Sequence, residues 1–174
     1  MAKKQLGFLL DQRYCVGCQG CQTACQARNY SKPGESLRIA DSFENKGKGP
    51  YITLGCLHCE KPACLEGCPV GAITKDEENG IVSTDYDVCI GCKNCTKVCP
   101  YGAPKYDDVD KVSLKCDLCK DRLEAGEKPA CVEACPMKVL TYGELSELDA
   151  VGVRDGHDFT IHETNPSMRF IKRS

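Results

Sequence analysis

The sequence predicts an α+β fold of short hairpins and short helices, repeated along the chain and organised by cysteine rather than by a large apolar core. Three observations lead there. First, the chain has 174 residues with 6% aromatics and no tryptophan, yet sixteen cysteines. Ordinary side chains alone would leave a thin core, so the cysteines must help to fill it. Second, all sixteen fall into four groups of four: Cys15, Cys18, Cys21, Cys25; Cys56, Cys59, Cys64, Cys68; Cys89, Cys92, Cys95, Cys99; and Cys116, Cys119, Cys131, Cys135. Third, the groups alternate between two kinds, which marks an internal repeat.

Taken in order, the elements follow from local pattern. An apolar run from Leu6 to Leu10 leads into "DQRYCVGCQGCQTAC", which begins at Asp11. That segment matches "DYDVCIGCKNCTKVC" from Asp85 as D-x3-C-[VI]-G-C-x2-C-x3-C. Between them, "KPACLEGCP" from Lys61 matches "KPACVEACP" from Lys128 at seven of nine positions, so the order is A-B-A-B. A helical turn is expected after the third cysteine of each group. The link from Asn29 to Gly49 is polar and Gly-rich and reads as a surface loop. After Cys68, "AITKDEENGIVSTD" gives two β-prone runs around Asn79-Gly80, a hairpin. "KVLTYG" follows the fourth group; with Leu6–Leu10 it supplies the two ends of an equivalent hairpin that lacks a local turn, and the two are expected to pair across the chain. "ELSELDAV" is a short helix, and the remainder to Ser174 reads as an extended polar tail without chemistry.

Sixteen cysteines admit disulfides, zinc or iron–sulfur clusters. "MAKKQLGFLLDQ" shows neither a secretory apolar region nor a twin arginine, and no stretch approaches eighteen apolar residues. A disulfide scaffold therefore lacks an export signal to support it. Zinc would suit groups two and four alone. The C-x2-C-x2-C-x3-C run of groups one and three is instead the ligand spacing of [4Fe–4S] clusters. Gly17 and Gly91 stand between first and second ligands, where a side chain would crowd a cluster. Pro69, Pro100 and Pro136 each follow a fourth cysteine, and Gln26 breaks that rule in group one only.

The formal charge of −2 becomes about −10 once four clusters of charge −2 are counted. Against that total, Lys61, Lys93, Lys97, Lys115, Lys120, Lys128 and Lys138 read as local compensation or as a solvated surface. No basic excess suggests nucleic acid. His58, inside "CLHC", is either a donor to a cluster sulfur or simply packed; His157 and His162 belong to no constellation. No nucleotide-binding loop is present, and no thiol is left over as a nucleophile. The chain is expected to conduct electrons and to have no catalytic residue.

In two-cluster runs the fourth cysteine ligates the other cluster. If the hairpin after Cys68 joins groups two and three, Cys68 completes Cys89, Cys92 and Cys95, while Cys99 completes Cys56, Cys59 and Cys64. If the terminal runs pair, Cys25 completes Cys116, Cys119 and Cys131, and Cys135 completes Cys15, Cys18 and Cys21.

The group order, with "CPYGAPKY" (99–106), "KCDLCKDR" (115–122) and the "KPAC" repeats, resembles the four-cluster iron–sulfur subunits of the dimethyl sulfoxide reductase superfamily of molybdenum and tungsten enzymes, over about Leu6 to Glu144. The resemblance implies two ferredoxin-like domains related by a pseudo-twofold, one inserted in the other: 1–48 with 107–174 outside, 49–106 inside. It supports the same cross-ligation. It also implies a large catalytic partner holding a bis-pterin molybdenum or tungsten cofactor, and a donor such as a quinol-oxidising membrane anchor subunit. The chain would then be either cytoplasmic or exported folded with a Tat-signal-bearing partner. A polyferredoxin-type subunit of a hydrogenase or aldehyde oxidoreductase, and more remotely a zinc-stabilised interaction module, are the competing readings.

Overall fold

A computed structural model of the chain describes residues 3–29, 36–42 and 49–173. It is an α+β structure in which short two-stranded ribbons alternate with the cysteine groups. The chain opens with β1 (Leu6–Asp11), passes through group one into α1 (Gly20–Arg28), and forms the ribbon β2 (Ile39–Asp41) and β3 (Ile52–Leu54). Group two carries α2 (Ala63–Glu66) and leads to the ribbon β4 (Ile73–Lys75) and β5 (Val82–Thr84). Group three carries α3 (Asn94–Val98) and leads to β6 (Lys105–Tyr106) and β7 (Ser113–Leu114). Group four holds α4 (Lys120–Glu124) and α5 (Ala130–Glu133), followed by β8 (Leu140–Glu144), α6 (Leu145–Asp149) and β9 (Met168–Ile171).

The expected long-range pairing forms: β1 and β8 run antiparallel, with Leu6 opposite Glu144 and Leu10 opposite Leu140. The 73–84 hairpin forms as well. Its loop is longer than a two-residue Asn-Gly turn, closing with Asp76 N–H on Ile81 O at 2.9 Å and with Gly80 at φ 72°. The ribbon after group three repeats this loop. Asp76 Oδ1 accepts the amides of Glu78 and Asn79, Asp107 Oδ1 accepts those of Val109 and Asp110, and Lys111 at φ 60° stands where Gly80 stands. The aspartate of the D-x3-C motif also has a structural cause, because Asp11 and Asp85 each cap the amide two residues on and turn the chain toward its first cysteine.

Two sequence expectations are corrected. The stretch read as an extended polar tail contributes a core strand: β9 lies parallel to β1 and makes β1 the middle strand of the sheet β8-β1-β9. Phe170 and Met168 on β9 pack with Phe8, Leu10 and Leu140 in the main core, together with Cys131 and Cys135. The polar look of "SMRFIK" is misleading because Arg169 buries its stem and pairs with Asp149. Nor is the link between groups one and two wholly a surface loop. Much of 29–49 lies outside the described residues, but Leu37, Arg38 and Ala40 are buried and Ile39–Asp41 is a strand. Among the described residues no helix is long and apolar enough to cross a membrane.

Candidate metal centres

Each cysteine group is shaped by one local device. The helix starts one residue before the third cysteine, so Cys21, Cys64, Cys95 and Cys131 are each the second residue of α1, α2, α3 and α5. The expected helical turn is therefore present in all four groups but begins earlier than anticipated. In groups one and three the backbone is left-handed twice before that helix: at Gly17 and Gly91, both φ 65°, and at Gln19 and Lys93, φ 61° and 62°. In groups two and four Pro62 and Pro129 immediately precede the helix, with left-handed residues further upstream at His58 and at Leu118 and Cys119. The repetition read in the sequence is thus a repetition of backbone conformation.

The cysteines converge around hollows. Cys56, Cys59 and Cys64 line a cavity with about 360 Å³ of atom-free space, and the fourth sulfur-bearing residue on its wall is Cys99. Cys15, Cys18 and Cys21 line a second of about the same size, and its fourth is Cys135. Cys25 is absent from that wall. It rides on α1, which packs on α5, and its thiol lies within electrostatic reach of Cys131 and Cys119. Cys116 lies near Cys25 and Cys131, and also near Cys56. Cys95 lies in the smaller core with Cys64, Ile73 and Val82, and Cys68 packs against that core, while Cys89 is half-exposed and Cys92 exposed. Among the described residues no three Cys, His, Asp or Glu side chains converge as a single metal ion requires. Thiols spaced around a hollow suit a polynuclear core.

Electrostatics fit the same occupant. None of the sixteen cysteines is in a disulfide. Burial pushes the thiols of Cys25 and Cys59 up to about 11 and that of Cys64 to about 12, and raises Cys116 well above its ordinary value. Such thiols ionise only when strong positive charge arrives, which is what a cationic iron–sulfur core supplies, with protons released on binding. Cys68 is the exception. Burial works against its ionisation too, but the backbone amides of Val70, Gly71, Ala72 and Ile73 gather on its sulfur and hold it below the ordinary thiol range. Hydroxyls approach other sulfurs: Thr53 at Cys21 (3.3 Å), Ser113 at Cys95 (3.0 Å), and Thr164 at Cys59.

Two cations are buried among these groups. Arg38 is 2% exposed; its guanidinium bonds Thr53, lies 4.5 Å from the Phe8 ring centroid, and faces Cys131, Cys116, Cys21 and Cys25. Lys115 is 3% exposed and stands on the wall of the Cys56/Cys59/Cys64/Cys99 cavity. Burial alone would lower its pKa, but its neighbours, Cys56 and Cys64 first among them, outweigh that and leave it raised. The other six lysines grouped with it from sequence are exposed. Arg38, Thr53, Ser113 and Thr164 carried no sequence signal, since each lies outside the cysteine motifs.

The histidines resolve as follows. His58 is fully buried, its Nδ1 accepting the Val82 amide at 3.0 Å, while Nε2 has no hydrogen-bond partner among the described residues. His58 is thus packed, with Nδ1 as acceptor and Nε2 as the remaining ring nitrogen. His157 Nε2 is 2.8 Å from the Arg173 carbonyl, and His162 packs edge-on against Tyr101, a residue of the Cys56/Cys59/Cys64/Cys99 cavity wall.

Comparison with known proteins agrees with the geometry. A family described as "4Fe-4S dicluster domain" matches residues 48–145, a span holding groups two, three and four. A component of the anaerobic dimethyl sulfoxide reductase of Escherichia coli is 42% identical over 156 residues, covering 83% of this chain and 76% of that protein. A subunit of the sulfite dehydrogenase of Allochromatium vinosum is 34% identical over 200 residues, covering 97% and 83%. Protein NrfC of E. coli is 39% identical over 147 residues, covering 81% and 66%. The chain belongs to the family of iron–sulfur electron-transfer subunits of the dimethyl sulfoxide reductase superfamily of molybdopterin oxidoreductases.

Proposed function

We propose that the chain carries four [4Fe–4S] clusters in two ferredoxin-like units and forms the wire between a large molybdopterin or tungstopterin catalytic subunit and a second redox partner. The ligand sets are Cys15, Cys18, Cys21 with Cys135; Cys116, Cys119, Cys131 with Cys25; Cys56, Cys59, Cys64 with Cys99; and Cys89, Cys92, Cys95 with Cys68. The observation that carries this reading is that two hollows of equal size each gather three cysteines of one group and the fourth of another. It favours an outer unit of 1–48 with 107–174 and an inner unit of 49–106, in line with the repeated backbone of the groups. Such cores supply one-electron redox chemistry at little structural change. The protein holds them by thiolate, orders them by its duplicated fold, and shields them with apolar walls.

Electrons enter and leave where cysteine comes to the surface. Cys18 and Cys92 are the exposed members of the sixteen. Exposed apolar side chains accompany them: Val16 and Met137 share a cavity wall with Cys18, and Val88 and Ile90 flank group three's first cysteine in sequence. These two patches suit two different partners: the catalytic subunit at one end, and at the other a donor or acceptor such as a quinol-oxidising membrane subunit. The test is anaerobic isolation of the native assembly, metal analysis and identification of every co-purifying chain. About sixteen irons per chain with one molybdenum or tungsten on a large pterin-binding partner is the expected result. Iron without either metal, or a zinc-loaded colourless protein, would overturn the reading.

A further inference from the structure

We propose that the Lys115 ammonium is the positioning charge at the junction between the two halves of this wire, raising the reduction potentials of the two clusters it stands between. The inference rests on the cluster assignment above. Lys115 directly precedes Cys116 in the outer unit, yet its side chain crosses to the inner unit and ends on the wall of the Cys56/Cys59/Cys64/Cys99 cavity. There Nζ donates to the Val82 carbonyl on β5 and, at 3.3 Å, to the carbonyl of Cys116. One bond faces each unit, so the ammonium is fixed at their seam. Cys116 and Cys56 approach one another at the same place.

The charge has no acidic partner among the described residues. Carbonyl dipoles hold it, and only the cluster sites balance it. A buried charge of this kind is weakly screened by solvent ions and acts strongly over short range. Reduction adds one electron to a cluster and breaks no bond, making the site more negative by one. A fixed cation stabilises that reduced state and raises the potential of both flanking sites, so that electrons cross from unit to unit without a deep energetic step at the seam. Arg38 stands among sulfurs of groups one and four, on another flank of the fourth group; Lys115 is the cation whose chain belongs to one proposed unit and whose charge sits in the other.

The experiment uses the intact assembly, isolated anaerobically with wild-type chain, K115Q or K115R. Iron is counted first, and a wild-type count other than about sixteen would sink the cluster assignment rather than this inference. Redox titration followed by EPR then reads each couple. In K115Q two of the four couples are expected to fall by at least tenfold in their reduction equilibrium, which is 59 mV for one electron. In K115R, where the charge is kept, both return to within threefold of wild type. Four unmoved couples in K115Q, or four that shift alike, would overturn the proposal. If K115Q does not load iron while K115R does with near-native couples, the charge serves assembly of the site rather than its potential, and the proposal is overturned. Failure of both to load would show that the lysine serves by its shape, and would overturn it.

Discussion

Replacing Phe159 by alanine should loosen the wall of one proposed cluster site without touching a proposed ligand. The segment leading into β9 places Thr164 on the wall of the cavity lined by Cys56, Cys59, Cys64 and Cys99, and Tyr101 lines the same cavity. Backbone bonds tie it down, with the amides of Glu60 and Lys61 on the carbonyls of Asn165 and Thr164 at 2.9 and 3.0 Å. The aromatic clamp is Phe159, stacked on Tyr101 with centroids 5.6 Å apart and 5° between planes, and tilted against Phe170 at 4.8 Å. Each such pair contributes about 0.5–1.5 kcal/mol beyond its burial, so F159A removes about 1–3 kcal/mol from the closed state of this segment. That raises the open fraction roughly 5- to 150-fold. The assay is anaerobic bleaching by an iron chelator, followed at the visible absorbance of the clusters. When opening is fast relative to iron capture, the rate for one quarter of the signal should rise by the same factor while the rest keeps its wild-type rate. Uniform bleaching at the wild-type rate would refute the idea that the tail guards this site.

Other consequences are as direct. Phe170→Ala, at a fully buried ring in the main core, should cost about 3–5 kcal/mol and be visible as a lowered denaturant midpoint. Gly91→Ala should cost more than Gly17→Ala, although both have φ 65°. A Cβ at Gly91 meets the carbonyl of Lys111, which cannot move freely, whereas at Gly17 it meets the Tyr51 ring. The shared left-handed penalty is about 1–2 kcal/mol, so cluster content measured by iron should fall further in G91A. Complete removal of iron by chelator under reducing conditions should unfold the chain, seen as loss of far-UV circular dichroism, because cysteines stand where apolar side chains would otherwise form the core.

How much of this was legible in the sequence depends on range. The Leu6–Leu10 and "KVLTYG" runs could be matched because the duplication left one hairpin without a turn, and the structure pairs them as β1 and β8. The 73–84 hairpin was legible through local turn chemistry alone. β9 was not, because a parallel partner has no local signal and its buried Arg169, with the buried Ser167 just before it, disguises it as polar tail. The cysteines announced themselves by spacing, and two cavities are each lined by four of them. What lies behind the sulfurs was hidden: Arg38 sits in a stretch that reads as loop, and nothing in "VSLKC" says that Lys115 alone, of seven similar lysines, turns inward. Burial of a cation depends on carbonyls and thiols contributed by distant segments, and these come together only in the fold.

The exchange of ligands between groups is the central claim, and a double substitution tests it most directly. Cys18 and Cys135 belong to different groups in sequence but line one cavity. If they hold the same cluster, C18S, C135S and the double variant should each lose one cluster and retain about twelve irons, with the same EPR component missing in all three. If each group holds its own cluster, the double variant should lose two and retain about eight irons, and the two single variants should lack different components.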